Sequence, residues 1–283
     1  MSLSWMQILV GLVLGACVAF LAYRLKALTP GGAVAAALLG AVFFGLGGLP
    51  GAVLLLVFFI SSSALSRLAK SRKQEVEANY AKGDRRDAGQ VLANGGAAGA
   101  FMILHSFFPL ETWPWLGAAA SLAAANADTW ATELGVLSPH PPRLITSGRR
   151  VAPGASGGVS LVGLAAALGG AALEAAAFAL VWPGGGLLIA PLTPHASSLS
   201  IAFFILVTLA GLAGSLVDSF LGATLQAIYY CPECQKETER HPIHSCGTPT
   251  SLLRGMARMN NDLVNAACTV SGAVVAVILY FVV

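Results

Sequence analysis

Charged residues are scarce in this chain. Asp, Glu, Lys and Arg together make up 10% of its 283 residues, whereas hydrophobic residues make up 56%. Because the surface of a soluble domain is about a quarter or more charged, this scarcity excludes a soluble globular protein. The high hydrophobic content also excludes intrinsic disorder. The class that remains is a polytopic membrane protein whose partner is the lipid bilayer.

Cysteine is sparse as well, with five residues in the chain. So few cysteines exclude a small disulfide scaffold. The net charge is only +3, and a positive charge this small gives no reason to expect a nucleic-acid partner.

Apolar runs of membrane-spanning length, about 20 residues each, recur along the chain. We predict an all-α fold, with residues 1–283 forming a single polytopic transmembrane domain of about eight helices. The predicted spans lie near residues 5–23, 34–48, 51–66, 90–108, 115–133, 160–182, 201–225 and 264–283. The second and third spans are short and are separated by Gly47-Gly48-Leu49-Pro50-Gly51. This break is a tight turn or a re-entrant segment, so seven spans are the alternative.

The positions of the basic residues predict the orientation. All 16 Lys and Arg residues lie within 24–26, 67–86, 143–150 and 236–258, which eight spans place on one side of the membrane. The positive-inside rule makes that side cytoplasmic and puts both termini outside. We expect an integral protein of a bacterial cytoplasmic membrane, with its active face cytoplasmic. The predicted cytoplasmic connections are a charged segment at 67–88, a Gly/Arg-rich loop at 134–159 and a Cys/His-containing loop at 227–262.

Four acidic residues in or beside apolar spans stand out, because charge there is costly and usually functional. They are Asp128, Glu133, Asp218 and Asp262, all at predicted cytoplasmic ends of spans. Asp128-Thr129-Trp130 and Asp218-Ser219-Phe220 share a pattern, which suggests two helices that donate equivalent carboxylates to one site. Convergent carboxylates suit Mg²⁺ held partly through substrate phosphates. The alternative is that each acid caps a helix or pairs with an arginine.

The Gly-rich connection at 143–160 leads directly into the sixth span. A Gly-rich turn at a helix N-terminus presents backbone N–H groups and the positive end of the helix dipole. Arg149 and Arg150 add positive charge, and the combination suits phosphate, although the sequence is not a Walker A loop. The alternative is a connector whose arginines contact lipid head groups or set the topology.

A cluster of thiols and imidazoles follows the seventh span. Its spacing is C-x₂-C-x₁₁-C with His241 and His244 between the last two cysteines. Three thiolates and one imidazole suit tetrahedral zinc, and a reducing cytoplasm argues against a stable disulfide. The sequence therefore indicates either a structural Zn²⁺ site at Cys231, Cys234, His244 and Cys246 or free thiols in a polar loop.

The order of these motifs resembles one integral-membrane family, which includes phytyl-phosphate kinase and transmembrane protein 19. The resemblance extends from about the second span to the eighth. The segments that carry it are 90–96, 126–135, 154–160, 218–226 and 260–265. It implies phosphorylation of an isoprenoid monophosphate, phytyl or another polyprenyl phosphate, to the diphosphate by a nucleoside triphosphate, which is CTP or ATP.

This resemblance is consistent with the chemistry of the residues, because phosphoryl transfer needs positioning and charge neutralisation more than covalent catalysis. We expect Asp128 and Asp218 to bind Mg²⁺, with Glu133 and Asp262 as further catalytic candidates. The expected substrate and phosphate contacts are Asn94, Asn126, Arg149, Arg150, Ser156, Gly157, Gly158, Gln226, Asn261 and Asn265.

Three other functions are compatible with the sequence. A CTP-dependent cytidylyltransferase acting on a lipid phosphate would use the same groups and form a CDP-lipid. A lipid or small-molecule transporter would use the paired polar motifs as halves of a repeat, although the acids lie near one membrane face rather than at the midplane. A scaffold would explain the Cys/His loop and leave the convergent acids unexplained.

Overall fold

The computed structural model describes residues 5–77, 85–184, 186–188 and 194–282. Within them the chain forms seven α-helices: α1 (Trp5–Arg24), α2 (Pro30–Glu77), α3 (Ala88–Phe107), α4 (Trp113–Gly135), α5 (Leu161–Val181), α6 (Pro194–Thr224) and α7 (Asn261–Val282). The predicted charged segment at 67–88 is helical as far as Glu77, and residues 78–84 lie outside the described residues.

Two small antiparallel sheets lie in the connections, where the sequence analysis predicted no strands. β1 (Arg143–Leu144) pairs with β2 (Gly158–Val159). A second sheet between α6 and α7 has the order β4-β3-β5, formed by β3 (Ile228–Cys231), β4 (Lys236–Thr238) and β5 (Ser251–Arg254). Both sheets are short, so the molecule keeps the predicted all-α, polytopic class.

Helix α2 is interrupted at Gly48, whose φ of 60° and ψ of −151° are not helical. Contacts across the interruption show that the chain reverses there. A Cβ added at Gly51 would overlap the carbonyl oxygen of Phe43, whereas eight residues of unbroken helix span about 12 Å. Farther along, the Arg67 guanidinium donates to the carbonyl of Leu25 at 2.8 Å. The predicted break is therefore a tight turn between two antiparallel limbs, residues 30–47 and 49–77.

The number of membrane-crossing helices is lower than predicted. Five stretches of the described chain are long and apolar enough to cross a membrane: Trp5–Arg24, Pro30–Leu68, Leu161–Val181, Leu199–Thr224 and Asn261–Val282. The prediction was eight. Pro30–Leu68 is counted as one stretch although the chain reverses direction at Gly48. Helices α3 and α4 are not among the five, because polar residues such as Asn94 and Asp128 lower their hydropathy.

Helix α4 forms the centre of the bundle. Its residues 114–127 are all buried, and α2, α3, α5, α6 and α7 pack around it. Gly211 and Gly214 of α6 lie directly against Ala123 and Ala124. Because small residues let helix backbones approach closely in a membrane, the Ala-rich sequence of α4 accounts for its central position. Helices α4 and α6 consequently end beside one another.

Replacing Gly51 with Ala is expected to destabilise the α2 hairpin. The added methyl group would overlap a backbone carbonyl that can move only if the two limbs separate. We expect a loss of about 1–3 kcal/mol, which is typical of overpacking, measured as a lower Tm in detergent. Gly31→Ala is the matched control, because its Cβ would meet only the Ala88 side chain, at 3.7 Å. Equal Tm losses in the two variants would contradict this packing.

Candidate functional site

The polar helix ends enclose a cavity of about 880 Å³. It lies where α4 and α6 end and where α3, α5 and α7 begin. Residues from all four predicted cytoplasmic connections line it, among them Lys26, Arg67, Gly154 and Glu239. The structure therefore brings these four connections to one end of the bundle, as their shared charge pattern predicted.

Asp128 of α4 and Asp218 of α6 meet in this cavity. Their carboxyl groups lie close enough to interact directly. Oδ2 of Asp218 is buried and has no hydrogen-bond partner among the described residues. Two carboxylates in contact repel each other unless a proton or a cation lies between them. The pair thus has the donor atoms and the unmet charge that a hard cation such as Mg²⁺ would satisfy.

Three further carboxylates surround this pair. Glu133 accepts a hydrogen bond from Ser66 Oγ at 2.8 Å, and Asp262 lines the cavity from the first turn of α7. Glu239, which the sequence analysis missed, accepts from Gln226 Nε2 at 2.8 Å, and its negative charge acts on Asp218. Because Glu239 comes from the loop after α6, nothing in the span pattern indicated that it reaches the membrane site.

Most of the predicted polar contacts do lie in the cavity wall. Of the ten predicted, the seven that line it are Asn94, Ser156, Gly157, Gly158, Gln226, Asn261 and Asn265. The segment 154–160 is held tightly, because Gly157 has a φ of 82° and a Cβ there would lie 2.5 Å from the backbone of Ala223. Arg254 links this segment to α6, because its guanidinium donates to the carbonyl of Ser156 at 3.4 Å and to that of Gly222 at 2.9 Å.

The other three predicted contacts do not reach the cavity. Asn126 is fully buried between helices, where it accepts from Ser61 Oγ at 2.9 Å and donates to the Gly170 carbonyl at 2.9 Å. Its side chain ties α4 to α2 and α5. Arg149 and Arg150 are exposed because the backbone pairing around Arg143 folds them into a hairpin outside the cavity lining. The structure thus corrects the predicted site at these residues.

The positive charge of the cavity comes from residues that the sequence analysis used only for topology. They are Lys26, Arg67, Arg85 and Arg86. Arg86 donates to Ser62 Oγ at 3.2 Å, and its backbone is bonded to the loop before α2 through Thr29. Burial lowers the pKa of the Arg86 guanidinium, and the charge of Glu133 opposes that shift. Arg85 and Arg86 directly precede Asp87, the N-cap residue of α3. This position at the end of a predicted span was the sequence signal that could have identified them as site residues.

A second, apolar cavity of about 270 Å³ lies between α1, α2 and α3. It shares Arg86, Gln90 and Asn94 with the polar cavity, so the two cavities adjoin each other. We call it the apolar groove; its other lining residues include Leu39, Gly40, Ala52, Leu55 and Phe59. Leu14, Val18 and Leu49 also line it and are themselves exposed. The groove therefore has exposed apolar residues in its lining and adjoins the polar cavity.

The Cys/His cluster has the geometry of a tetrahedral metal site. The ligand atoms of Cys231, Cys234, His244 and Cys246 all lie within 4.8 Å of one another. Sγ of Cys231 is 3.5 Å from Sγ of Cys246, and Nδ1 of His244 is 3.6 Å from Sγ of Cys234. Nδ1 of His244 also lies 3.2 Å from Sγ of Cys246. Ligand atoms on one tetrahedral Zn²⁺ lie about 3.5–3.8 Å apart, so these residues fit the ion after small shifts of their side chains.

The thiols of this cluster differ in acidity. Hydrogen bonds from Thr248 and His244 lower the pKa of Cys246 to about 6. A hydrogen bond with Cys246 raises the pKa of Cys234 to about 11. The environment therefore favours a thiolate at Cys246.

One further buried acid was missed by the sequence analysis. Glu174 lies within α5 and is fully buried, and neither carboxylate oxygen has a hydrogen-bond partner among the described residues. A single acid in the otherwise apolar run 161–181 was the available signal. Glu174 does not line the polar cavity, and the structure gives it no evident part in that site.

A helical bundle with small-residue packing, apolar outer faces and a polar cavity at one end defines an integral α-helical membrane protein. The chain belongs to the integral membrane protein family DUF92, whose profile matches residues 13–273. It is 33% identical over 274 residues to Protein PGR of Arabidopsis thaliana, covering 92% of this chain and 91% of that protein.

Two microbial membrane proteins are also similar. An uncharacterized membrane protein of Methanocaldococcus jannaschii is 28% identical over 274 residues, covering 97% of this chain and 94% of the relative. One from Synechocystis is 29% identical over 203 residues, covering 71% and 73%. No solved structure matches the chain.

Proposed function

We propose that this protein is a membrane lipid-phosphate kinase that converts an isoprenoid monophosphate, phytyl or another polyprenyl phosphate, into the diphosphate. The phosphoryl donor is a nucleoside triphosphate, CTP or ATP, used with Mg²⁺. The main support is that a polar cavity with paired carboxylates adjoins an apolar groove that is lined in part by exposed apolar residues. A substrate with a phosphate head and a hydrocarbon tail matches both parts.

The paired carboxylates support the metal assignment. Asp128 and Asp218 supply oxygen ligands, which Mg²⁺ prefers, and Asp218 has a buried oxygen with no partner among the described residues. When bound there, Mg²⁺ would neutralise charge on the phosphates of the donor. The charge of Glu239 acts on Asp218, and Asp262 lines the same cavity.

The cavity cations would position the reacting phosphates. Lys26, Arg67 and Arg85 would bind the anionic oxygens of the donor and acceptor. In the reaction, an oxygen of the lipid phosphate forms a bond to the γ-phosphorus as the bond from that phosphorus to the β-phosphate oxygen breaks, and the nucleoside diphosphate leaves. Because the acceptor is already an ionised phosphate, no side chain has to remove a proton. The residues contribute positioning and electrostatic stabilisation.

The deciding experiment is an assay on purified protein in nanodiscs. Phytyl monophosphate and Mg²⁺ are supplied with ATP or CTP in turn, and the lipid products are identified by mass. A lipid diphosphate that requires Mg²⁺ is the expected product. A CDP-lipid would instead make the protein a cytidylyltransferase. Absence of both products with phytyl and geranylgeranyl phosphate would contradict the proposed activity.

Filling the apolar groove is expected to weaken binding of long-chain substrates selectively. Ala52→Phe places a ring between the groove walls, which would raise KM for a C20 isoprenoid phosphate by about tenfold, the effect of losing a few methylene contacts. Dimethylallyl phosphate, whose tail is short, should be turned over with little change. Ala100→Phe on the exposed face of α3 is the matched control. Equal KM increases for both substrates would rule out the groove as the tail site.

A further inference from the structure

The segment 228–254 between α6 and α7 is small, and only a few of its apolar side chains, Ile228 and Tyr229 of β3 among them, are buried. Its three strands are four, three and four residues long. Ile243, Leu252 and Leu253 are all exposed. A unit this small seldom has a sufficient hydrophobic core and commonly depends on a metal or a disulfide. The Cys/His cluster lies inside this segment, with two of its ligands on each side of β4.

The same segment forms one wall of the polar cavity. Glu239 and His241 lie between Cys234 and His244 in sequence, and both line the cavity. Glu239 accepts from Gln226 Nε2 at 2.8 Å and from Ser156 Oγ at 3.3 Å. The His241 ring stacks on Tyr229 of β3 with centroids 4.3 Å apart. The Cys/His cluster therefore anchors the chain on both sides of Glu239 and His241.

We propose that Cys231, Cys234, His244 and Cys246 bind one structural Zn²⁺ and that this ion fixes Glu239 and His241 in the wall of the polar cavity. The ligand separations of 3.5 Å and 3.6 Å match those on a tetrahedral zinc. All four positions are protein ligands, so the ion is structural and leaves no open position for catalysis. The metal would supplement the small core of this sheet. This inference does not depend on which reaction the cavity performs.

The first measurement is the metal content of the full chain purified from zinc-supplemented cells. We expect about one Zn²⁺ per chain. The double variant Cys231→Ser/Cys234→Ser should contain almost none. Cys17→Ser is the matched control, because Cys17 lies on α1 and is exposed, away from the cluster, and it should keep its zinc. A wild-type chain that binds no zinc even after Zn²⁺ is added would overturn the site.

The second measurement is hydrogen–deuterium exchange of the same protein with and without zinc. Removal of the ion by 1,10-phenanthroline should accelerate exchange about tenfold or more in residues 228–254 and, through the Glu239–Ser156 contact, in 154–160. Residues 114–127 of α4 should not change, and the non-chelating 1,7-isomer is the reagent control. Using wild-type protein avoids any folding defect of the double variant. Zinc loss that leaves exchange at 154–160 unaltered would overturn the link to the cavity.

Discussion

Replacing Asp218 with Asn is expected to lower Mg²⁺-dependent turnover of the lipid phosphate by about a thousandfold. Asn keeps the size of the side chain and removes its negative charge. Asp218 has a buried oxygen without a partner among the described residues and contacts Asp128 directly. The same loss is expected for Asp128→Asn, since either change leaves one carboxylate where two would bind the cation. Turnover is measured as lipid diphosphate formed over a Mg²⁺ titration.

A matched control separates loss of the metal from general damage. Glu111→Gln removes an exposed carboxylate in the connection between α3 and α4, which does not line the cavity, and should leave turnover unchanged. The Asn variants should also lose the increase in Tm that Mg²⁺ gives to the wild-type protein, since an ion that binds only the folded state stabilises it. Near-normal turnover in both Asn variants would eliminate the pair as the metal site.

Replacing Arg86 with Met is expected to raise KM for the lipid phosphate by about ten- to a hundredfold, the range for a lost hydrogen bond to a charged group. Arg86 is the one cation that lines both the polar cavity and the apolar groove within the described chain. The boundary between head and tail of a lipid phosphate would lie beside it. Arg86→Lys should keep part of the affinity, because it restores the charge without the bidentate geometry.

Arg86→Met also removes a positive charge that interacts with Glu133, so some loss of stability is expected. The double variant Arg86→Met/Glu133→Gln distinguishes the two effects: it should recover Tm while the high KM remains. Arg258→Gln, which removes an exposed arginine outside the cavity lining, is the charge-matched control. Recovery of KM together with Tm in the double variant would show that Arg86 acts only through folding.

The matched motifs at Asp128 and Asp218 show how much of the site a sequence pattern can predict. Their similarity predicted two helices that present carboxylates to one place, and the structure brings the two into contact. Asn126 was assigned to the same site and lies elsewhere. Two residues along a helix turn by about 200°, so the side chain that precedes Asp128 by two positions faces α2 and α5. The role of Asp128 and Asp218 as metal ligands stays a prediction.

The positions of the arginines show what the sequence pattern could not predict, namely which of them line the cavity. Arg149 and Arg150 adjoin the Gly-rich loop in sequence, yet the backbone pairing of Arg143 with Arg150 places them outside the cavity lining. Arg85 and Arg86 are distant from that loop in sequence and still reach the cavity, because the α2 hairpin returns the chain to the level of the Thr29 loop. Glu239 reaches Asp218 in a similar way, through the folded segment between α6 and α7.

The order of residues alone was enough to establish the class of this protein and to place its polar residues at one end of the bundle. Hydropathy, span length and the spacing of charges can be read directly from the sequence. Because burying charge in lipid is costly, these properties determine which segments enter the membrane and which stay outside it. Tertiary structure decided which polar side chains share the cavity. That choice depends on the rotation of each helix about its axis and on the folding of the connections, which are set by contacts between residues far apart in the chain.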